Sequence, residues 1–424
     1  MPPVMRGSVL LHTLRFTFDP DGFFWAAHCR YGDIFTLRIL GQEWLAIAHP
    51  DAVKEVFSQG PHEVNSGEAN QALSPVLGTR NLLLLDGEEH LHRRRIVLPP
   101  FHGERMRAYE ATIRAAISKQ IAQWPLGEPV AALPRMQELA FEVIMHCVFG
   151  VNEGERVGEL GEALRGMIAW VTDMRRVLFF FLVGPERLNS VPAFRRQLAR
   201  VDRAILAEIS RRRVLADLDE REDILSMLVQ ATDEDGEHLT DEELRDELMT
   251  LLIAGHETTA TLLSWAIHDL ARDPIGQERL AQEGGAFCDA VVTETLRLHP
   301  PTGGVARRLR VPFSIGGYEL PAGTDLVPVT LLVHRRADVY EEPWKFKPTR
   351  FLDSRPAAGG WFPFGGSVRR CIGASFAQFE AKIVLEELTK SLTLRPVERR
   401  PERTSRRAIV LVASKGAKVV AQRR

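Results

Sequence analysis

A helix from Thr240 to Arg272, apolar on almost every side, dictates much of the architecture around it. Its first residues, Thr-Asp-Glu-Glu, form a capping box, and Asp273-Pro274 end it. Such a helix is about 48 Å long at about 1.5 Å per residue. It is apolar in nearly every direction from Leu248 to Ile253 and again from Leu262 to Leu270, the pattern of a helix that runs through a core. The chain has 424 residues and no Ser/Gly-rich or charged linker, so a single domain over 1–424 is expected. The expected class is mainly α with a smaller β-sheet lobe. The helical core lies at about 88–300 and 371–392, the N-terminal β-rich lobe at about 30–60, and further sheets near the C-terminus.

Charge and cysteine usage exclude several classes of partner. The net charge is -2 from 54 basic and 56 acidic side chains, so nothing global points to nucleic acid or to an anionic membrane. Cys29, Cys147, Cys288 and Cys371 have neither metal-finger nor secreted-framework spacing, which fits a reducing cytoplasm. The N-terminal MPPVMRGSVLLHTLRF interrupts its apolar residues with arginines and a histidine. It falls short of the roughly 20 apolar residues of a bilayer span, so no stable membrane anchor is expected.

Periodicity supplies the remaining elements. Ile34 to Ala48 alternates around a glycine break and is expected to form a β-hairpin. Helical patterns follow at Asp51 to Ser58, Glu88 to Val97, Gly103 to Trp124, Leu133 to Phe149, Arg156 to Met174, Val191 to Leu215 and Asp223 to Gln230. From Gly303 to Val333 short β-type runs alternate with Gly/Pro turns, and AIVLVASKGAKVV near the C-terminus has the pattern of a closing hairpin.

Four groups of residues carry chemistry. In FGGSVRRCIG, Phe364 to Gly373, Cys371 follows Arg369 and Arg370 and precedes a helix expected over Ala374 to Leu388. Cations and a helix N-terminus favour a thiolate, a metal ligand. The residues alone also suit a buried cysteine beside a glycine-rich turn. AGHETT, Ala254 to Thr259, breaks the apolar helix with a carboxylate and an adjacent hydroxyl, either an acid and alcohol relay or a charge at a helix bend facing a solvent channel. Glu294 and Arg297 share a helix face at i and i+3, and Arg350 lies in FKPTRF. In HLHRRR, His90 and Arg94 share a face, while Arg93 and Arg95 point elsewhere and suit a solvated arginine surface.

In their order along the chain, over roughly residues 90 to 373, the four groups resemble the cytochrome P450 family, and the flanking sheets extend the resemblance to nearly the whole chain. It implies the P450 fold, with the long central helix over a haem. It also implies haem b with Cys371 as the iron ligand, Phe364 covering the sulfur, and Gly373 on a signature position. His90, Arg94, Arg307 and Arg369 match positions that hold the haem propionates, which need fixed cations in a low-dielectric site. Ala254 and Gly255 would let the helix pass close to the haem, and Glu257 and Thr258 would carry protons during catalysis. Glu294, Arg297 and Arg350 would form a buried structural network. One position departs: Ser367 stands where the family usually has glycine, so a positive φ there would carry strain.

The implied reaction consumes substrate, O2, two electrons and two protons, and yields hydroxylated product and water. No flavin module or cysteine cluster is attached, so the electrons are expected from a separate ferredoxin or flavodoxin with its reductase. A basic surface of Arg93, Arg95 and Arg370 would suit an acidic partner. Candidate pocket walls are Leu82, Leu84, Phe179, Phe180, Leu251, Ala254, Thr302, Val305, Ile409 and Val410, small or apolar residues that favour a hydrophobic substrate such as a fatty acid, terpenoid, steroid, polyketide or drug-like molecule. The run Phe179 to Phe181 also suits core packing or a membrane surface. A monomer is expected. The alternatives are a peroxygenase or isomerase on the same fold, and a haem-binding protein without activity.

Overall fold

The computed structural model describes residues 1–39, 42–103, 105–150, 155–173, 175–176, 179 and 184–424, with only the backbone described at 155–157, 185 and 186. The helices of seven residues or more, among those described, are α1 (Val9–Phe18), α2 (Pro20–Tyr31), α3 (Pro50–Ser58), α4 (Gly87–Val97), α5 (Glu110–Ala122), α6 (Ala132–Cys147), α7 (Glu155–Thr172), α8 (Pro192–Arg213), α9 (Ile224–Gln230), α10 (Asp241–Leu270), α11 (Pro274–Glu283), α12 (Gly285–Leu298) and α13 (Ala374–Ser391). The strands are β1 (Ile34–Ile39), β2 (Gln42–Ile47), β3 (Val64–Asn65), β4 (Pro129–Ala131), β5 (Arg307–Leu309), β6 (Phe313–Ile315), β7 (Tyr318–Leu320), β8 (Asp325–Pro328), β9 (Leu392–Pro396), β10 (Thr404–Arg407), β11 (Val410–Ala413) and β12 (Lys418–Arg423). Contacts divide the chain into two compact units. The first holds Met1–Asn65, Ile113–Leu139 and Glu257–Arg424; the second holds Ser66–Thr112 and Ala140–His256.

The first unit is built on a five-stranded sheet in the order β1-β2-β8-β5-β3. The expected hairpin is present, with β1 and β2 antiparallel and Ile34 opposite Ile47. Strand alternation covers both faces of the sheet. Phe35, Leu37, Ile39 and Ala46 pack with Phe16, Phe23 and Phe24 of α1 and α2, whereas Ile34, Leu45 and Ile47 pack with Ala52, Val53 and Val56 of α3. Each such aliphatic side chain, fully buried, contributes about 1.5–3 kcal/mol. Helices α1 and α2 precede the β-rich lobe expected at about 30–60. Pro20 opens α2, and the Asp19 carboxylate caps it by accepting from Gly22 N.

The C-terminal segment differs from expectation. β11 pairs with β10, not with β12, and β12 forms a separate three-stranded sheet with β4 and β9. Gly416 and Ala417 both adopt positive φ, which turns the chain away from the β10–β11 pair. Leu133 N and Ala132 N then donate to their carbonyls and fix the new direction. Short-range alternation specifies a strand but not its partner. The helix expected from Gly103 to Trp124 is also divided, into a turn at Arg105–Ala108 and α5, with Tyr109 between them.

In the second unit, charge is buried in pairs. Arg212 of α8, wholly buried, donates to Glu208, Asp223, Ser226 Oγ and Phe149 O. The long helix α10 is continuous through the boundary between units. Its capping box is formed as expected: Thr240 N donates to Glu243 Oε2 at 2.9 Å, and Glu243 N donates back to Thr240 Oγ1 at 3.3 Å.

Candidate haem-thiolate site

The cysteine loop is a rigid turn docked at the start of α13. Gly365 and Ser367 adopt φ of 68° and 61°. A short 3₁₀ turn follows over Ser367–Arg369, and Cys371 N donates to Phe364 O at 2.9 Å, closing the loop. Cys371 is exposed, whereas Cys147 and Cys288 are buried. Ala374 begins α13, so the helix's positive end and the neighbouring Arg369 and Arg370 lie next to the sulfur in sequence. Phe364 packs edge-on against Trp361 at 6.1 Å. At Gly366 a Cβ would lie 2.6 Å from the Phe57 ring, so glycine is required by close approach.

Arg307 brings a cation to the same loop from β5. It is buried, sits 5.8 Å from the Phe57 ring centroid, and reaches Gly366 O at 3.5 Å. Arg369 is half-buried. An exposed thiol and two arginines held at one turn match the donors a haem requires: a thiolate for iron, and cations for the two carboxylates. The residues therefore fit the cofactor.

In the middle of α10 one face is less covered than the rest, with Ile253 half-buried outside it. Ala254 is exposed and Leu251, Gly255 and Thr258 are half-buried, at i, i+3, i+4 and i+7, while Leu248, Met249, Leu252 and Ala260 are wholly buried. A methyl at Gly255 would meet only Ile144 Cδ1, at an ordinary 3.5 Å, so protein packing alone does not demand glycine there. Glu257 is 7% exposed. Its carboxylate accepts from Gln137 Nε2 of α6 at 2.9 Å and 3.0 Å. Sequence reasoning did not single out Gln137. The only signal was one amide beside the apolar positions of MQELAFEVIM.

Glu294, Arg297 and Arg350 come together in the first unit. Arg297 donates to both carboxylate oxygens of Glu294, at 2.7 Å and 2.9 Å, and Arg350 Nε reaches Oε1 at 3.1 Å. Arg297 also donates to the carbonyls of His334, Pro343 and Lys345.

On α4, His90 is buried and Arg94 half-buried. Arg93 corrects the expected basic surface. It is 6% exposed and paired with Glu243 and Glu247, and it donates to Arg80 O at 2.8 Å. Burial pushes the Glu247 carboxyl up to about 8, against the opposing pull of Arg93. Arg95 is exposed but paired with Glu234. Within HLHRRR the helical turn thus sends one arginine into the unit's interior, where it serves packing and charge neutralisation.

The proposed pocket walls have different surroundings. Leu82 and Leu84 are buried in the second unit; Thr302 and Val305 are half-buried in the first. Ile409 is exposed and its neighbour Val410 is a buried residue of β11, so the two do not present one surface. Phe179 is 42% exposed, and Phe180 lies outside the described residues.

Comparisons with known proteins point to one family. The family model for cytochrome P450 matches residues 2–421. Cytochrome P450 135B1 of Mycobacterium tuberculosis is 36% identical over 438 residues, covering 98% of this chain and 90% of that protein. Cytochrome P450 137 of the same organism is 38% identical over 395 residues, covering 92% and 83%. Among solved structures, the cyanobacterial CYP120A1 with retinoic acid bound superposes with a TM-score of 0.84 at 24% identity, covering 100% of this chain and 99% of that one.

Proposed function

The chain belongs to the cytochrome P450 family of haem-thiolate monooxygenases, and we propose that it hydroxylates a hydrophobic small molecule with electrons from a separate ferredoxin or flavodoxin and its reductase. The balance is R–H + O2 + 2 e⁻ + 2 H⁺ giving R–OH + H2O. Haem b, when bound, supplies the oxygen-activating chemistry. Cys371 would ligate its iron, Arg307, Arg369, His90 and Arg94 would hold its propionates, and Phe364 would shield the sulfur from water.

The Ala254, Gly255 and Thr258 stripe would line the reacting side. Thr258 places a hydroxyl on that stripe, and the buried Glu257 next to it in sequence takes up the proton that the hydroxyl passes on. Apolar side chains at Leu82, Leu84, Leu251 and Val305 favour a lipophilic substrate over a sugar, because each polar group of a sugar would need a partner that these residues lack. No described helix is long and apolar enough to cross a membrane.

The observation that carries this proposal is the loop holding an exposed Cys371 at the start of α13, with Arg307 tied to Gly366 O. The absorption spectrum of the reduced protein under carbon monoxide tests it. A strongly red-shifted Soret band is expected, and its loss in Cys371→His. A histidine-type band in the unaltered protein would overturn the assignment.

A further inference from the structure

Glu257 is anchored from outside its own helix. Gln137 Nε2 lies 2.9 Å from one carboxylate oxygen and 3.0 Å from the other, a single amide shared by both. An ionised carboxylate only accepts, so the amide nitrogen, not its oxygen, must face it. The same two helices meet at further points: Phe141 packs edge-on against His256 at 6.2 Å, and a Cβ at Gly255 would lie 3.5 Å from Ile144 Cδ1.

Consecutive helical residues project about 100° apart. Glu257 and Thr258 therefore leave α10 on different bearings, and Gln137 directs the carboxylate toward α6.

We infer that Gln137 is a positioning residue that holds the Glu257 carboxylate toward α6 and favours its ionised form, and so sets the pH at which Glu257 takes up the proton it passes to Thr258. The inference rests on the relay role proposed above for Glu257. It gives Gln137 a part in proton delivery without contact with substrate or cofactor. The physical basis is that the ionised form accepts on both oxygens, by charge-assisted hydrogen bonds, whereas the protonated form keeps one acceptor oxygen free of its own proton.

Two variants of the full-length, haem-loaded protein test it: Gln137→Leu, which removes the donor, and Gln137→Glu, which keeps the shape should the leucine variant fail to fold. The Glu257 carboxyl is titrated by infrared difference spectroscopy, with Glu257→Gln identifying its band. The midpoint is expected to rise by about one pH unit in Gln137→Leu and further in Gln137→Glu, where a second carboxyl faces the first. The alkaline limb of kcat should move up with it, with the carbon monoxide spectrum unchanged. An unmoved carboxyl midpoint in both variants overturns the role of Gln137. The relay reading fails separately if Glu257→Gln retains the pH profile and the coupling of electrons to product.

Discussion

Glu294 Oε1 accepts from Arg350 Nε at 3.1 Å across 56 residues of sequence, inside the first unit, where Glu294 is wholly buried. Arg297 completes the arrangement and uses its remaining N–H groups on the carbonyls of His334, Pro343 and Lys345, so one guanidinium fastens the segment leading to Arg350. Removing one partner from a buried ion pair leaves the other charge without compensation. Arg297→Ala is expected to lose about 3–5 kcal/mol of stability. Urea unfolding measures it, and a midpoint within error of the unaltered protein would show the network to be dispensable.

Ser367 adopts a φ of 61°, and among the described residues Glu342, Ala408 and Ala417 are the other non-glycine positions with positive φ. The left-handed conformation costs a residue with a Cβ about 1–2 kcal/mol, partly offset by the greater freedom of glycine in the unfolded chain. Ser367→Gly is therefore expected to stabilise the protein by about 0.5–1 kcal/mol, and Ser367→Val to destabilise it. Thermal unfolding of both variants checks the order; a less stable glycine variant would contradict it.

Much of this was legible in the sequence because it depends on local rules. The bounds of α10 follow from the Thr240–Glu243 box and the Asp273-Pro274 stop, and the β1–β2 hairpin from strict alternation. Cys371, Arg369 and Phe364 share one short loop. Arg93 was not legible: spacing places it off the face of His90 and Arg94, but only the acidic residues 150 and 154 positions away decide that it is buried. Gln137 left no pattern at all, since its meaning comes from a helix 120 residues distant. The partner of β12 was hidden for the same reason, being fixed by β4 and β9 rather than by its neighbour in sequence.

Glu380 lies two turns into α13, wholly enclosed, with Oε1 accepting no hydrogen bond from the described protein. Desolvation alone pushes its carboxyl from 4.5 up to about 8. Between those values the folded chain retains a proton that the unfolded chain has released, so stability is full below the unfolded value and is lost as pH rises through the folded one. Glu380→Gln removes the titration. Its stability should vary less between about pH 5 and pH 9, with the largest advantage over the unaltered protein at the alkaline end. Parallel pH profiles for the two proteins would rule this out.

Of the three arginines expected to form a basic surface, Arg93 is enclosed, Arg95 is paired to Glu234, and Arg370, in the cysteine loop, is exposed. An acidic electron donor that approaches this side of the loop would feel it chiefly during encounter, since exposed charges act over about 10 Å at 0.1 M salt. Arg370→Glu should slow reduction by such a donor about threefold to tenfold at low salt, with the difference shrinking as salt is added. Arg93→Glu serves as the contrast, since reversing a buried charge beside Glu243 and Glu247 should lower stability and leave the salt dependence of reduction in the folded fraction unchanged. Stopped-flow reduction across a salt series separates the two effects. Equal rates for Arg370→Glu and the unaltered protein at low salt would remove this loop from the docking surface.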